Sequence, residues 1–158
     1  MCVSSKESKR HPHIYGPVPS RRLGLSLGVD IVPMKICTLD CVFCQLGRTT
    51  EKSIVRRKFV DIHVVVAEVA ERLREGVRAD YVTIGGSGEP TLNSELGDLI
   101  DELHGVTDVP VAVLTNGTLF YREDVRADCR RAEVVVPSLD AGDETTFEAV
   151  ARPALDIS

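Results

Sequence analysis

Tyr81-Val-Thr-Ile-Gly-Gly-Ser-Gly-Glu-Pro-Thr-Leu92 is the stretch that decides the fold. Four residues of strand character run straight into Gly85, Gly86 and Gly88, and apolar side chains then recur at helical spacing at Leu96, Leu99, Ile100 and Leu103. Asn93 stands where a helix N-cap is favoured. Strand, glycine turn and helix together make one βα unit.

The same order recurs on both sides. Upstream, Leu27-Gly-Val-Asp-Ile-Val32 is a short β-branched run that leads into a cysteine-bearing loop. Residues 61–75 then place Ile62, Val65, Val66, Val69 and Leu73 on one helical face, with Gly76 as a stop. Downstream, Val111-Ala-Val-Leu114 leads into Thr115-Asn-Gly117, and the Arg-rich residues 121–131 read as a surface helix. Val134-Val-Val136 leads into Pro137-Ser-Leu-Asp140, and residues 143–150 open a fourth helix. Alternation of this kind predicts an α/β fold of about four βα units, with parallel strands buried on both faces. It also predicts that the four segments after the strands meet at one rim, the C-terminal one, where such folds build their sites.

One rim segment is Cys37-Thr-Leu-Asp-Cys41-Val-Phe-Cys44, a C-x3-C-x2-C spacing with no fourth cysteine nearby. Three thiolates can hold three irons of a cubane cluster and leave the fourth open. An open coordination position is what lets a metal centre do chemistry. The rival is zinc with a distant fourth ligand, Cys129 or His63, although structural zinc sites usually draw on two close pairs. Cys129 also reads as a small buried residue of a helix. Five cysteines, three of them within eight residues, suit metal binding in a reducing compartment better than a disulfide frame.

The 158 residues are 43% hydrophobic and 27% charged, which fits a single globular domain or part of one. Residues 1–14 read as a disordered tail that holds Cys2 and the His11/His13 pair, and residues 15–158 as the core domain. The Gly16-Pro-Val-Pro-Ser-Arg21-Arg22-Leu-Gly24 segment that opens it cannot be helical. No apolar run approaches the ~20 residues of a membrane helix, and no signal peptide is visible, so the cytoplasm is the expected compartment. Residues 1–58 carry 11 Lys/Arg against 4 Asp/Glu, whereas residues 59–158 carry 8 against 20. A basic half beside the cysteines suits a phosphate-bearing substrate, with Arg21, Arg22, Arg48, Arg56 and Arg57 as candidate contacts; a solvated loop and tail is the plainer reading.

At these motifs the chain resembles the radical S-adenosylmethionine (radical SAM) superfamily. The resemblance rests on the cysteine spacing with Phe43 before its last member, on Gly85-Gly-Ser-Gly-Glu89-Pro90-Thr-Leu92, on Leu114-Thr-Asn-Gly117 and on Ser138-Leu-Asp140. Tyr15-Gly-Pro-Val-Pro-Ser-Arg-Arg-Leu-Gly24 and Cys44-Gln-Leu-Gly-Arg-Thr-Thr50 are similar to the subgroup that contains the wyosine-type tRNA synthases. The resemblance implies a TIM-barrel-like partial (β/α) barrel and a 4Fe–4S cluster on Cys37, Cys41 and Cys44. It implies S-adenosylmethionine chelated at the open iron and cleaved to a 5′-deoxyadenosyl radical that abstracts hydrogen from a substrate. An electron donor such as flavodoxin or ferredoxin is implied as a partner.

By the same resemblance Gly85, Gly86, Ser87 and Gly88 let the cofactor approach the backbone, and Glu89 pairs with its methionine ammonium. Phe43 lies near the adenine or over the cluster, or is an ordinary core aromatic. Thr115, Asn116, Ser138 and Asp140 hydrogen-bond the ribose or carboxylate, or act only as caps and turn formers. Members usually have at least six βα units, so the expectation is a piece whose last strand shows an open edge, with the remaining strands supplied elsewhere or by a second chain. Three functions follow: a radical enzyme that modifies tRNA, one that acts on a protein or small molecule, or a catalytically incompetent cluster- or zinc-binding fragment.

Overall fold

The computed structural model describes residues 12–157. Cys2, His11 and the expected tail up to residue 11 lie outside the described residues. Ile14, the last residue of that expected tail, already opens strand β1 (Ile14–Ser20), and the His13 carbonyl accepts a hydrogen bond from Asp30 N at 2.8 Å.

Four βα units follow one another. Strand β2 (Gly24–Val29) leads through the cysteine loop to helix α1 (Ile62–Arg74). Strand β5 (Tyr81–Ile84) leads to α2 (Leu96–His104), β6 (Val111–Thr115) to α3 (Glu123–Cys129), and β7 (Val134–Pro137) to α4 (Glu144–Ala151). The sheet order is β1-β2-β5-β6-β7, and all neighbours from β2 to β7 are parallel. The α/β architecture, a mostly parallel sheet of a partial barrel, is therefore the one the alternation predicts. Strand β7 pairs with β6 and, among the described residues, with nothing on its other side. Among the described residues no helix is long and apolar enough to cross a membrane.

Strand alternation sorts the side chains. Leu27, Val29, Val82, Ile84, Val111 and Val113 are fully buried, and they join Val65 and Val69 of α1 and Leu99, Ile100 and Leu103 of α2 in one core. The opposite face carries Ser26 hydrogen-bonded to Thr83, and Leu114. Asp61 caps α1 by accepting from His63 N at 3.1 Å, and Gly76 ends it at φ +89°.

Three local features depart from the sequence reading. The Pro/Gly-rich segment is a real strand, β1 (Ile14–Ser20), antiparallel to β2; prolines are tolerated there because it is an edge. Its Tyr15 ring lies so close over Gly28 that any Cβ at position 28 would collide with it. The first parallel strand spans Gly24–Val29, not 27–32, so an irregular stretch precedes the cysteines. Within the cysteine loop, β3 (Ile36–Cys37) and β4 (Glu51–Lys52) form a short parallel pair. Finally, Asn93 is not the N-cap of α2. A 3₁₀ turn, Pro90–Leu92, comes first, and the Asn93 side chain donates to Ile31 O (3.0 Å) and accepts from Glu95 N (2.9 Å), so it ties that turn to the end of β2.

Candidate functional site

The rim segments do meet. Their meeting point is built on the backbone of the cysteine loop, which closes on itself and on the end of α4. Gly47 N donates to Cys44 O and Ser53 N to Cys37 O, each at 3.1 Å. Thr49 N and Arg48 bind the Asp40 carboxylate at 2.8 and 3.3 Å. Asp40 N and Val42 N then donate to Ala151 O (2.9 Å) and Val150 O (2.8 Å), which satisfies carbonyls that the end of a helix leaves free. Helix α4 itself starts from Asp143, whose carboxylate accepts from Thr146 N at 2.9 Å.

All three cysteine thiols are free and half-buried. Burial pushes the Cys37 thiol up. Cys41 is pushed up to about 11 by burial and then by the neighbouring Cys37, Asp140 and Cys44, so the three sulfurs and Asp140 share one electrostatic neighbourhood. Cys44 goes the other way. Burial would raise it, but the Lys35 ammonium, whose Nζ lies 3.0 Å from Cys44 Sγ, and the Leu46 backbone hold it below the ordinary thiol value. Asn116 Nδ2 approaches Cys37 Sγ at 3.6 Å and donates to Thr38 Oγ1 at 2.8 Å.

Glu89 is the buried centre of the arrangement, 3% exposed. Its Oε1 accepts from Thr91 N (3.1 Å), Thr91 Oγ1 (2.6 Å) and Thr115 Oγ1, and its Oε2 accepts from Asn116 N (2.8 Å). Burial outweighs these bonds and pushes its carboxyl up. One carboxylate thus clamps the glycine turn after β5 to the end of β6. In this geometry all of these Glu89 contacts run within the protein. Gly88 has a similar inward reason: a Cβ there would strike the Ile36 carbonyl and Val32, so glycine lets the turn pack against the lead-in to the cysteines. Ser87 joins the same packing, donating through N to Asp30 (3.1 Å) and accepting from Lys35 N (2.7 Å). The Gly85 carbonyl accepts from the Tyr15 hydroxyl at 2.9 Å, whereas Gly86 is exposed.

A cavity of about 820 Å³ opens beside these groups, lined by Leu39, Asn116, Phe120, Ser138, Asp140 and Phe147 among others. Three polar residues singled out from sequence therefore face one space with an apolar wall. Thr115 is buried and turned to Glu89. Phe43 is 52% exposed, so it is not a core aromatic.

Three thiols are soft ligands that suit iron–sulfur chemistry. Among the described residues no three His, Cys, Asp or Glu side chains form a ready site for a single metal ion. The fourth ligands considered for zinc are engaged elsewhere: His63 Nδ1 lies 3.0 Å from Glu102, and Cys129 is buried in the core cluster at the end of α3. A buried ammonium directed at one of the sulfurs further suits a group of negative charge.

Sequence reading missed Lys35, Thr38 and Asp40 as site residues, as well as the structural part of Arg56. A lysine flanked by Met34 and Ile36 just ahead of the first cysteine was the available signal.

The radical SAM superfamily model matches residues 31–155. A UPF0026 protein of Methanocaldococcus jannaschii is 41% identical over 145 residues, which cover 90% of this chain and 45% of that protein. A Brachyspira hyodysenteriae protein named GTPase Obg is 39% identical over 153 residues, 97% of this chain and 22% of that protein. An S-adenosyl-L-methionine-dependent tRNA 4-demethylwyosine synthase of Arabidopsis thaliana is 25% identical over 144 residues, 79% of this chain and 22% of the synthase. This chain thus spans less than half the length of each of these relatives. It has no Gly-x4-Gly-Lys-Ser/Thr phosphate loop to match the GTPase name. With the family model covering most of its length, the chain belongs to the radical SAM superfamily.

Proposed function

We propose that Cys37, Cys41 and Cys44 hold a 4Fe–4S cluster and that the adjoining cavity receives S-adenosylmethionine. What supports this reading is a loop carrying three soft sulfur donors, with Asn116 Nδ2 3.6 Å from Cys37 Sγ and with Asn116 and Asp140 both lining the adjoining cavity, in a chain of this superfamily. When bound, such a cluster supplies the one electron that splits S-adenosylmethionine into methionine and a 5′-deoxyadenosyl radical, which takes a hydrogen atom from the substrate.

The chain's own residues bind and orient. Asn116 is fixed through Thr118, whose N and Oγ1 donate to its Oδ1 at 3.0 and 2.6 Å, so its amide is pre-set beside Cys37. Ser138 and Asp140 offer the polar contacts for a ribose or an ammonium group, while Phe120 and Phe147 keep the wall dry. Phe43 stands exposed beside Cys44 as a cover for the cluster side. Glu89 positions the glycine turn and Asn116 from beneath.

The substrate class we favour is a tRNA. Support comes from the name of the Arabidopsis relative and from Arg21 and Arg22, which are exposed and have no ion pair among the described residues. Arg48, Arg56 and Arg57 are already engaged with Asp40, Asp124 and Asp128, and Glu51. Retention on tRNA should fall steeply with salt, with a slope lowered by about one for each of Arg21 and Arg22 replaced by Gln. Retention that ignores salt points to a protein or small-molecule substrate.

The test of the chemistry is anaerobic incubation of the iron-loaded protein with S-adenosylmethionine and dithionite, which replaces the expected flavodoxin or ferredoxin. Chromatography should detect 5′-deoxyadenosine and methionine. A loaded protein that yields neither would remove the proposed activity.

A further inference from the structure

Lys35 has an environment unlike that of any other cation in the described residues. It is 6% exposed and sits at φ +63°, a left-handed conformation that a lysine rarely adopts. Its backbone is held there from both sides. Lys35 N donates to Ser87 O at 2.7 Å, and its carbonyl accepts from Thr50 N (3.0 Å), Glu51 N (3.2 Å) and Thr50 Oγ1 (3.2 Å). A sparsely populated backbone state held by four contacts is the kind of feature that accompanies a functional constraint. The effect of this conformation is to turn the side chain inward, where Nζ rests 3.0 Å from Cys44 Sγ. No carboxylate among the described residues forms an ion pair with it. Burying an ammonium is costly unless an opposite charge meets it. The partner on offer is the sulfur.

We propose that Lys35 is the positioning residue that sets the electron affinity of the group held by Cys44. A fixed positive charge and an N–H donor on a ligand sulfur stabilise the added electron and raise the reduction potential. The contact is one-sided. The ammonium hydrogen-bonds Cys44 and reaches Cys37 only at longer range; Cys37 takes backbone donors from Leu39 and Thr38 and the neutral amide of Asn116 at 3.6 Å, and Cys41 has Asp140 for a neighbour. The charge therefore acts most directly through Cys44. The inference rests on the cluster reading of the three cysteines.

The experiment compares wild type, Lys35→Met and Lys35→Arg after anaerobic iron–sulfide loading. Iron and sulfide are counted, and the reduced signal is titrated against potential by electron paramagnetic resonance. Unfolding of the unloaded proteins is measured in parallel. Lys35→Met should fold at least as well as wild type without iron, because a buried unpaired charge is gone. Once loaded, its reduced-to-oxidised ratio at a given potential should be at least tenfold lower, about 59 mV for one electron. Lys35→Arg should recover most of that difference. A Lys35→Met protein that folds unloaded yet refuses iron also assigns the residue to the bound group. Two results overturn the inference: equal potentials in loaded wild type and Lys35→Met, or a Lys35→Met protein that fails to fold without iron, which would assign the lysine to the fold. Wild type that takes up no iron overturns the cluster reading itself and is a separate result.

Discussion

Arg56 and Lys35 are both buried cations at the rim, and the protein treats them differently. Arg56 is surrounded. Its guanidinium donates to Thr91 O (2.9 Å) and Asn93 O (3.0 Å), and it pairs with Asp124 (2.8 Å) and with Asp128. This knot fastens the turn after β5 to α3 and gives each of the three guanidinium nitrogens an acceptor. Lys35 meets one thiol and, among the described residues, no carboxylate. A cation whose partners are all supplied by the chain builds structure. On the proposed cluster reading, a cation left facing sulfur marks where negative charge comes from outside the chain. The two sides of the rim should therefore respond oppositely to substitution.

The largest effect is expected on the cysteine side. Cys41→Ser should reduce bound iron from about four atoms per chain to less than a tenth of that. Stability of the unloaded protein should move by no more than about 1 kcal/mol. Iron counting and urea unfolding check the two halves of this prediction. A large loss of stability would mean that the cysteine loop belongs to the same structural class as the Arg56 knot.

Glu89→Ala comes next. It leaves the N–H groups of Thr91 and Asn116 unsatisfied in a buried place and should cost about 3 kcal/mol by urea unfolding. The loss should be accompanied by weaker iron retention, since Asn116 and the glycine turn lose their clamp. Arg56→Met should cost about 2 kcal/mol, less than a fully buried pair because Asp124 is half exposed, and the protein that remains folded should load iron as wild type does.

The smallest effect is a pH profile. Arg122 and then Arg56 hold the Asp124 carboxyl well below the usual carboxylate range. The unfolded chain therefore takes up this proton first as pH falls, so the contribution of Asp124 is complete above about pH 4 and declines below it. The urea midpoint of wild type should drop more steeply below pH 4 than that of Asp124→Asn. Parallel profiles would show that the Arg56 knot owes little to this charge.

What was legible in sequence follows from which physics is local. Strand β5 and helices α1 and α2 were readable because their apolar period repeats the burial it causes. The rim location of the site followed from strand–helix alternation alone. Strand β1 was hidden because its prolines and glycine signal irregularity, and only an antiparallel partner outside the segment makes it a strand. Asn93 was read as a helix cap because that residue type favours caps; its use as a tie to Ile31 depends on a contact 62 residues away. Glu89 stood out in sequence as a candidate, but its burial did not, because its bonds to Thr115 and Asn116 come from the end of the next strand and just beyond it. The charge asymmetry suggested a free basic patch. Folding brings acidic residues of the second half onto Arg56, while nearer carboxylates meet Arg48 and Arg57, so most of that patch is internally matched.

The most direct test of the central claim is electron paramagnetic resonance of the anaerobically loaded, dithionite-reduced protein before and after addition of S-adenosylmethionine. The account predicts a cubane signal whose g-values change when the cofactor binds at an iron that the three cysteines leave open. A signal indifferent to S-adenosylmethionine, or no cubane signal at all, would contradict it.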